Sequence, residues 1–145
     1  AIGCELSLDK MNAFKEAVNS YALSRLTDDV LRRRIKIDSK IDFNSINFSF
    51  LDAFSLLSPF GAGNPKPVFV TEAVQVVAEP KKLQGKHCKL LVRQNGKYFE
   101  ALAWGRGDWA DSIQKGDIIN LCYSLQFSEY LGEEKLNLNL IDIKK

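Results

Sequence analysis

Asn95-Gly96 stands between two runs of alternating side chains, HCKLLVRQ and KYFEALAW, and restricts the fold more than any other feature of the chain. The dipeptide tolerates the positive φ angles of a two-residue type I′ turn, whose twist matches that of the strands it joins. Such a turn leaves one pairing. Gln94 faces Lys97, Arg93 faces Tyr98, Val92 faces Phe99 and Leu91 faces Glu100. Leu90 then faces Ala101, Lys89 faces Leu102, Cys88 faces Ala103 and His87 faces Trp104. Because side chains alternate across a strand, these pairs divide into two faces. Cys88, Leu90, Val92, Phe99, Ala101 and Ala103 are all apolar and are expected to point into a core. His87, Lys89, Arg93, Tyr98 and Trp104 lie on the other face with Leu91, Glu100 and Leu102.

The hairpin belongs to a series. Val68–Ala78, Cys88–Arg93, Lys97–Trp104, Ile118–Phe127 and Lys135–Ile143 are five β-like runs, interrupted only by GDWADSIQKG, a short helix between the third and fourth. That is the element order of an OB barrel, and closing the barrel removes the open edges and bare apolar face that a flat five-stranded sheet would present. The first part of the chain reads as helical. Met11, Phe14, Val18, Tyr21 and Ala22 recur at helical spacing between Ser7 and Leu26. A short strand is expected around Arg34–Ile37. A second helix, from about Asn47 to Ser58, would bury Phe50, Leu51, Phe54 and Leu57. The fold class is therefore mainly β, a five-stranded OB barrel preceded by helices. The expected division is residues 1–58, a linker at 59–67, and the barrel at 68–145.

With 145 residues, 46% of them apolar, the chain can bury a real core. A net charge of +2 means that any affinity for a polyanion must come from arrangement. The arrangement is uneven: Lys81, Lys82, Lys86, Lys89, Arg93 and Lys97 fall between Pro80 and Tyr98 with no Asp or Glu among them. Single-stranded nucleic acid needs cations along its phosphates and flat rings for its bases, and the second and third strands of an OB barrel commonly carry both. The candidate contacts are Lys86, His87, Lys89, Arg93, Tyr98, Trp104 and Arg106, the last on a flexible GRGD loop. Lysines on an exposed hairpin also serve solubility, which is the competing reading. Trp109 is expected to pin the short helix to the barrel.

Catalytic chemistry is not legible. Asp28 with Asp29 and Asp108 with Asp111 are the nearest acidic pairs, and both read as helix starts. The single histidine, His87, lies beside Cys88 on a strand and so points to the opposite face, which rules out a nucleophile and base pair there. Cys4, Cys88 and Cys122 are too widely spaced for a zinc site or a disulfide framework, which suits a reducing, cytoplasmic setting. No window approaches the ~18 apolar residues of a membrane span, so no membrane partner is expected.

SPFGAGNPKPVFV, at Ser58–Val70, has the glycines and lysine of a phosphate loop but the wrong context: a helix precedes it and a strand follows. It reads instead as a stiff connection, in which Gly61 and Gly63 permit left-handed or crowded backbone and Pro59, Pro65 and Pro67 restrict theirs.

This stretch resembles the PFGxGNPxPxF signature that leads into the OB domain of the RecJ family, single-stranded-DNA-specific 5′ to 3′ exonucleases of the DHH phosphoesterases. AIGCELSLDKMNAFKEAVNSYA, with Phe14, resembles the end of that family's DHH-associated subdomain, after its GGH motif. IKID at Ile35–Asp38 resembles the short strand before the linker helix. GKHCKLLV, FEALAWG, the glycine before the fourth strand and LNLNLIDI follow the family's OB segment in order. The resemblance implies that residues 1–145 are the C-terminal part of a longer, manganese- or magnesium-dependent nuclease of recombination and repair. The catalytic residues would lie in a DHH domain outside this stretch, leaving no cofactor and no catalytic role here. It implies single-stranded DNA, the parent catalytic domain and single-stranded-DNA-binding protein as partners, and Lys86, His87 and Lys89 as matches to the family's GKH strand. Two other functions fit the same residues: a non-catalytic OB module for protein interaction, and an RNA-binding OB module.

Overall fold

The computed structural model describes residues 3–32, 34–130 and 133–145, which form two compact units, residues 1–35 and 36–145. In the first unit, a 3-10 turn at Leu8–Lys10 runs into helix α1, Met11–Arg25, and a single turn, α2, follows at Asp28–Leu31. Met11, Phe14, Val18 and Tyr21 share one side of α1 at the expected spacing, yet no residue of the helix is buried. Asp29 is paired with Arg34 at 2.6 Å.

The second unit holds seven strands: β1 Ser39–Lys40, β2 Phe69–Val76, β3 Lys81–Leu83, β4 His87–Gln94, β5 Lys97–Ala103, β6 Ile118–Tyr130 and β7 Glu133–Lys144. Five of them close a ring. β2 pairs with β6, β6 with β7, β7 with β5, β5 with β4, and β4 returns to β2. Ala73 makes this closure possible: its positive φ of 53° sits in a bulge between Thr71 and Val74, which bends β2 so that one end serves β6 and the other serves β4. The expected five-stranded barrel is present, with a one-turn helix, α4 (Trp109–Ser112), between its third and fourth strands.

Asn95 and Gly96 have φ of 51° and 81°, and β4 and β5 pair from Gln94 with Lys97 through to Cys88 with Ala103, as the turn dictates. Cys88, Leu90, Val92, Ala101 and Ala103 are fully buried, while Phe99 is partly buried, edge-on to Phe43 at 4.8 Å. Leu121, Tyr123, Leu125 and Leu138 complete the interior from β6 and β7.

Helix α3, Phe48–Ser55, starts at Asn47, whose side chain accepts from the Phe50 amide at 3.0 Å. Its Phe54 ring lies within 6.3 Å of Phe60, Phe69 and Phe127 and seals one side of the barrel. Burying one such ring contributes about 1.5–3 kcal/mol. Leu57, expected in this stripe, is half exposed instead, because the helix ends at Ser55 and the chain turns away before it.

Two strands differ from expectation. The strand expected at Arg34–Ile37 forms later, at Ser39–Lys40, and runs parallel to Phe69–Val70. The Asp38 carboxylate accepts from the Val68 amide at 2.9 Å and its own amide donates to the Val68 carbonyl, so the ladder starts only there. β3 falls outside the five expected runs. It pairs with the start of β4 through a turn at Gln84-Gly85, both at positive φ. No helix among the described residues is long and apolar enough to cross a membrane, and Cys4, Cys88 and Cys122 are free thiols.

Candidate nucleic-acid interface

The outward face of β4 and β5 carries two rings. Tyr98 and Trp104 are 55% and 53% exposed. Tyr98 is on β5 and Trp104 is the first residue past its end, six positions on and in the same phase of alternation. The ladder stops at Cys88 with Ala103, so the pair expected between His87 and Trp104 is a contact of rings and not of strands. Both rings are supported. His87 meets Trp104 edge to face at 4.8 Å, and the Arg93 guanidinium lies 5.9 Å from the Tyr98 centroid while also donating to Gln75 at 2.7 Å. His87 is held in turn, its Nδ1 accepting from the Gly105 amide at 2.9 Å. That bond makes Nδ1 the acceptor, so the neutral ring carries its proton on Nε2, available to donate outward.

The loop after β5 is stitched to the turn before β4. Gly107 donates to the Lys86 carbonyl at 2.9 Å, and a Cβ on Gly107 would come within 2.8 Å of the Gly85 oxygen. This close approach brings Lys86, His87, Trp104 and Arg106 to one end of the face. The GRGD loop is therefore anchored and not loose. Arg106 lies 4.1 Å over the buried Trp109 ring and pairs with Asp108 at 3.3 Å. Hydrogen bonding from Arg106 holds the Asp108 carboxyl below its ordinary range. Asp108 precedes α4 as expected, but its side chain makes no cap bond and serves Arg106 instead.

Space redistributes the basic run. Lys82 pairs with Asp111 and Lys89 with Glu100, at 2.6 and 2.7 Å. Lys97, in phase with Phe99 on the opposite face, donates to the Ile46 carbonyl, while its partner Gln94 accepts from the Phe43 amide and donates to the Glu72 carbonyl. The tip of the hairpin thus anchors the segment before α3. Lys81 and Lys86 have no acidic partner among the described residues. Sequence reasoning missed Lys135, at the start of β7, which pairs with the other oxygen of Glu100 at 2.7 Å. Its phase in KLNLNLIDI, shared with Asn137 and Asn139, was the available signal, but only the parallel β5–β7 pairing shows which neighbour it meets.

Gly61 and Gly63 do not play the part expected of them. Neither has a positive φ, and a Cβ on either would meet nothing within 4 Å. The connection is held by Asn64, whose amide donates to the Leu57 and Pro59 carbonyls at 2.7 and 3.0 Å, and by reciprocal backbone bonds between Gly61 and Asn64. Pro65 follows this knot. No group of three or more His, Cys, Asp or Glu able to hold a metal ion occurs among the described residues.

A five-stranded ring with a helix between its third and fourth strands, and rings and cations on the second and third, defines an OB-fold module. The RecJ OB domain model matches residues 37–142, and the chain belongs to that family. It is 22% identical over 144 residues to the single-stranded-DNA-specific exonuclease RecJ of Bacillus subtilis (strain 168), covering 98% of this chain and 18% of that protein. It superposes on RecJ from Thermus thermophilus in complex with Mn2+ with a TM-score of 0.70 at 24% identity, over 97% of this chain and 20% of the other. The Mg2+ complex of the same protein gives 0.69, also at 24% identity, over 97% of this chain and 21% of that one. The chain spans about a fifth of the length of these relatives.

Proposed function

We propose that this chain is the single-stranded-DNA-holding part of a RecJ-type 5′ to 3′ exonuclease, acting in recombination and repair in the cytoplasm. The observation that carries this reading is the pair of exposed rings, Tyr98 on β5 and Trp104 just past its end, with Lys86, Arg93 and Arg106 around them. Unpaired bases stack on the rings, the cations follow the phosphates, and sequence preference is slight because every base has a flat face. On this reading the manganese or magnesium of the parent's hydrolysis belongs to a catalytic domain outside residues 1–145. Tethering the strand near that domain raises its local concentration there. Single-stranded-DNA-binding protein is the further partner this role implies.

The test is titration of the chain with labelled single-stranded DNA, duplex DNA and RNA of one sequence at several salt concentrations. Single strands are expected to bind with strong salt dependence. Trp104→Ala should weaken binding by roughly 5- to 150-fold, the equivalent of ~1–3 kcal/mol for one stacked base. Equal binding of duplex and single strand, or an unchanged Trp104→Ala variant, defeats the proposal. Preference for RNA would transfer the same surface to an RNA-binding role. A second reading, a protein-interaction module, is favoured by Phe48 and Leu56, at the two ends of α3, which are 88% and 84% exposed. It predicts no nucleic-acid binding at low salt.

A further inference from the structure

The centre of the ring-bearing face holds a carboxylate where a DNA track needs a cation. Glu100 is on β5, two residues from Tyr98 and four from Trp104, so a strand stacked on both rings runs its backbone past it. Its two oxygens are divided between two neighbouring strands. Oε1 takes Lys89 of β4 and Oε2 takes Lys135 of β7, each at 2.7 Å. The Glu100 side chain is 25% exposed, Lys89 31% and Lys135 53%, so all three face solvent. A groove whose lining includes Ala78, Glu79, Lys81, Lys89, Leu91 and Glu100 opens beside them.

A phosphodiester also presents two anionic oxygens on one centre, and two ammonium groups placed to grip the two oxygens of a carboxylate can grip it in the same way. We propose that Lys89 and Lys135 form a backbone-phosphate site that Glu100 occupies from within, so that DNA gains this site only by displacing the carboxylate. This rests on the single-stranded-DNA reading and refines it. The consequence is a track with unequal grip. Lys86, which has no acidic partner among the described residues, holds the Trp104 end, while the centre exchanges one anion for another and adds little net affinity. A strand held in this way can be released stepwise, as feeding towards an active site requires.

The opposite role for Glu100 is structural, ordering two lysines that then bind DNA, and the two roles predict effects of opposite sign. In titrations of the full chain with a labelled poly-dT oligonucleotide, Glu100→Gln is expected to tighten binding about fivefold, the equivalent of about 1 kcal/mol for one charge at contact distance in water. It should steepen the log K against log salt slope by ~0.7, one further phosphate neutralised. Lys135→Ala should cost little in the wild type and should abolish the gain in Glu100→Gln. In the wild-type protein, the Glu100 carboxyl 13C resonance should move when poly-dT is added, which requires no variant to fold. Weaker or unchanged binding by Glu100→Gln, or a Glu100 resonance that does not move, overturns the proposal. If that happens while Trp104→Ala still loses affinity, the single-stranded-DNA reading stands and this one alone falls. If the wild type binds no poly-dT at low salt, both fall together.

Discussion

The buried hydroxyls of Thr71 and Tyr123 lie 2.8 Å apart, and their direction is determined by a third group. Thr71 donates its one proton to the Ile41 carbonyl at 2.8 Å, so Tyr123 must donate to Thr71. The relay ties the chain just after β1 to β2 and β6 in the middle of the core. Its members are unequal. Tyr123→Phe removes one donor and leaves Thr71 bonded to Ile41, an expected loss of about 1 kcal/mol. Thr71→Val strands both the Tyr123 hydroxyl and the Ile41 carbonyl, and about 2–3 kcal/mol should be lost. Urea unfolding of both variants checks this order; a Tyr123→Phe protein less stable than Thr71→Val would reverse the donor assignment.

The same tyrosine governs alkaline behaviour. Burial pushes the Tyr123 phenol up to about 12, and the hydrogen bond it donates to Thr71 favours the same neutral form. A raised folded value means that the unfolded chain gives up its proton first. The contribution is therefore complete below the unfolded phenol value of ~10 and is lost as pH rises towards that of the folded protein. Phenolate absorbance during an alkaline titration should show one tyrosine ionising late, and Tyr123→Phe should remove that step.

Glu100 supplies the acid counterpart. Hydrogen bonds from Lys135 and then Lys89 hold its carboxyl below the ordinary range. The ion pairs then stabilise the fold above the unfolded carboxylate value of ~4.3, and this is lost as pH falls through the folded value. Urea midpoints measured from neutral pH into the acid range should decline less steeply for Glu100→Gln than for the wild type. Parallel declines would mean that the triad contributes nothing to stability.

Two glycine substitutions should differ in sign. Gly107→Ala places a methyl 2.8 Å from the Gly85 carbonyl oxygen, and because that atom is backbone the loop must move. A loss of about 1–3 kcal/mol is expected, with weaker DNA binding because Lys86 and Arg106 separate. Gly63→Ala meets open space at an ordinary φ, and should stabilise by about 0.4–1 kcal/mol through the unfolded chain. Thermal unfolding of the pair decides it; a destabilised Gly63→Ala would mean that this glycine is required by something other than local backbone shape.

Local pattern was enough for the β4–β5 pairing and its two faces, because a two-residue turn at Asn95-Gly96 permits one alignment and alternation does the rest. It was enough, too, for the strand order around the barrel helix and for the buried place of Trp109. Which cations remain available depends instead on long-range neighbours. Lys97 is spent on Ile46, Lys82 on Asp111 and Lys89 on Glu100, partners separated from them by 11 to 51 positions in the chain. Closure of the barrel likewise brings Lys135 to the face, crowds Gly107 and leaves Gly61 and Gly63 in open space. A charge or a methyl group acts through whatever lies within a few ångströms, and that neighbourhood exists only once the ring of strands has closed.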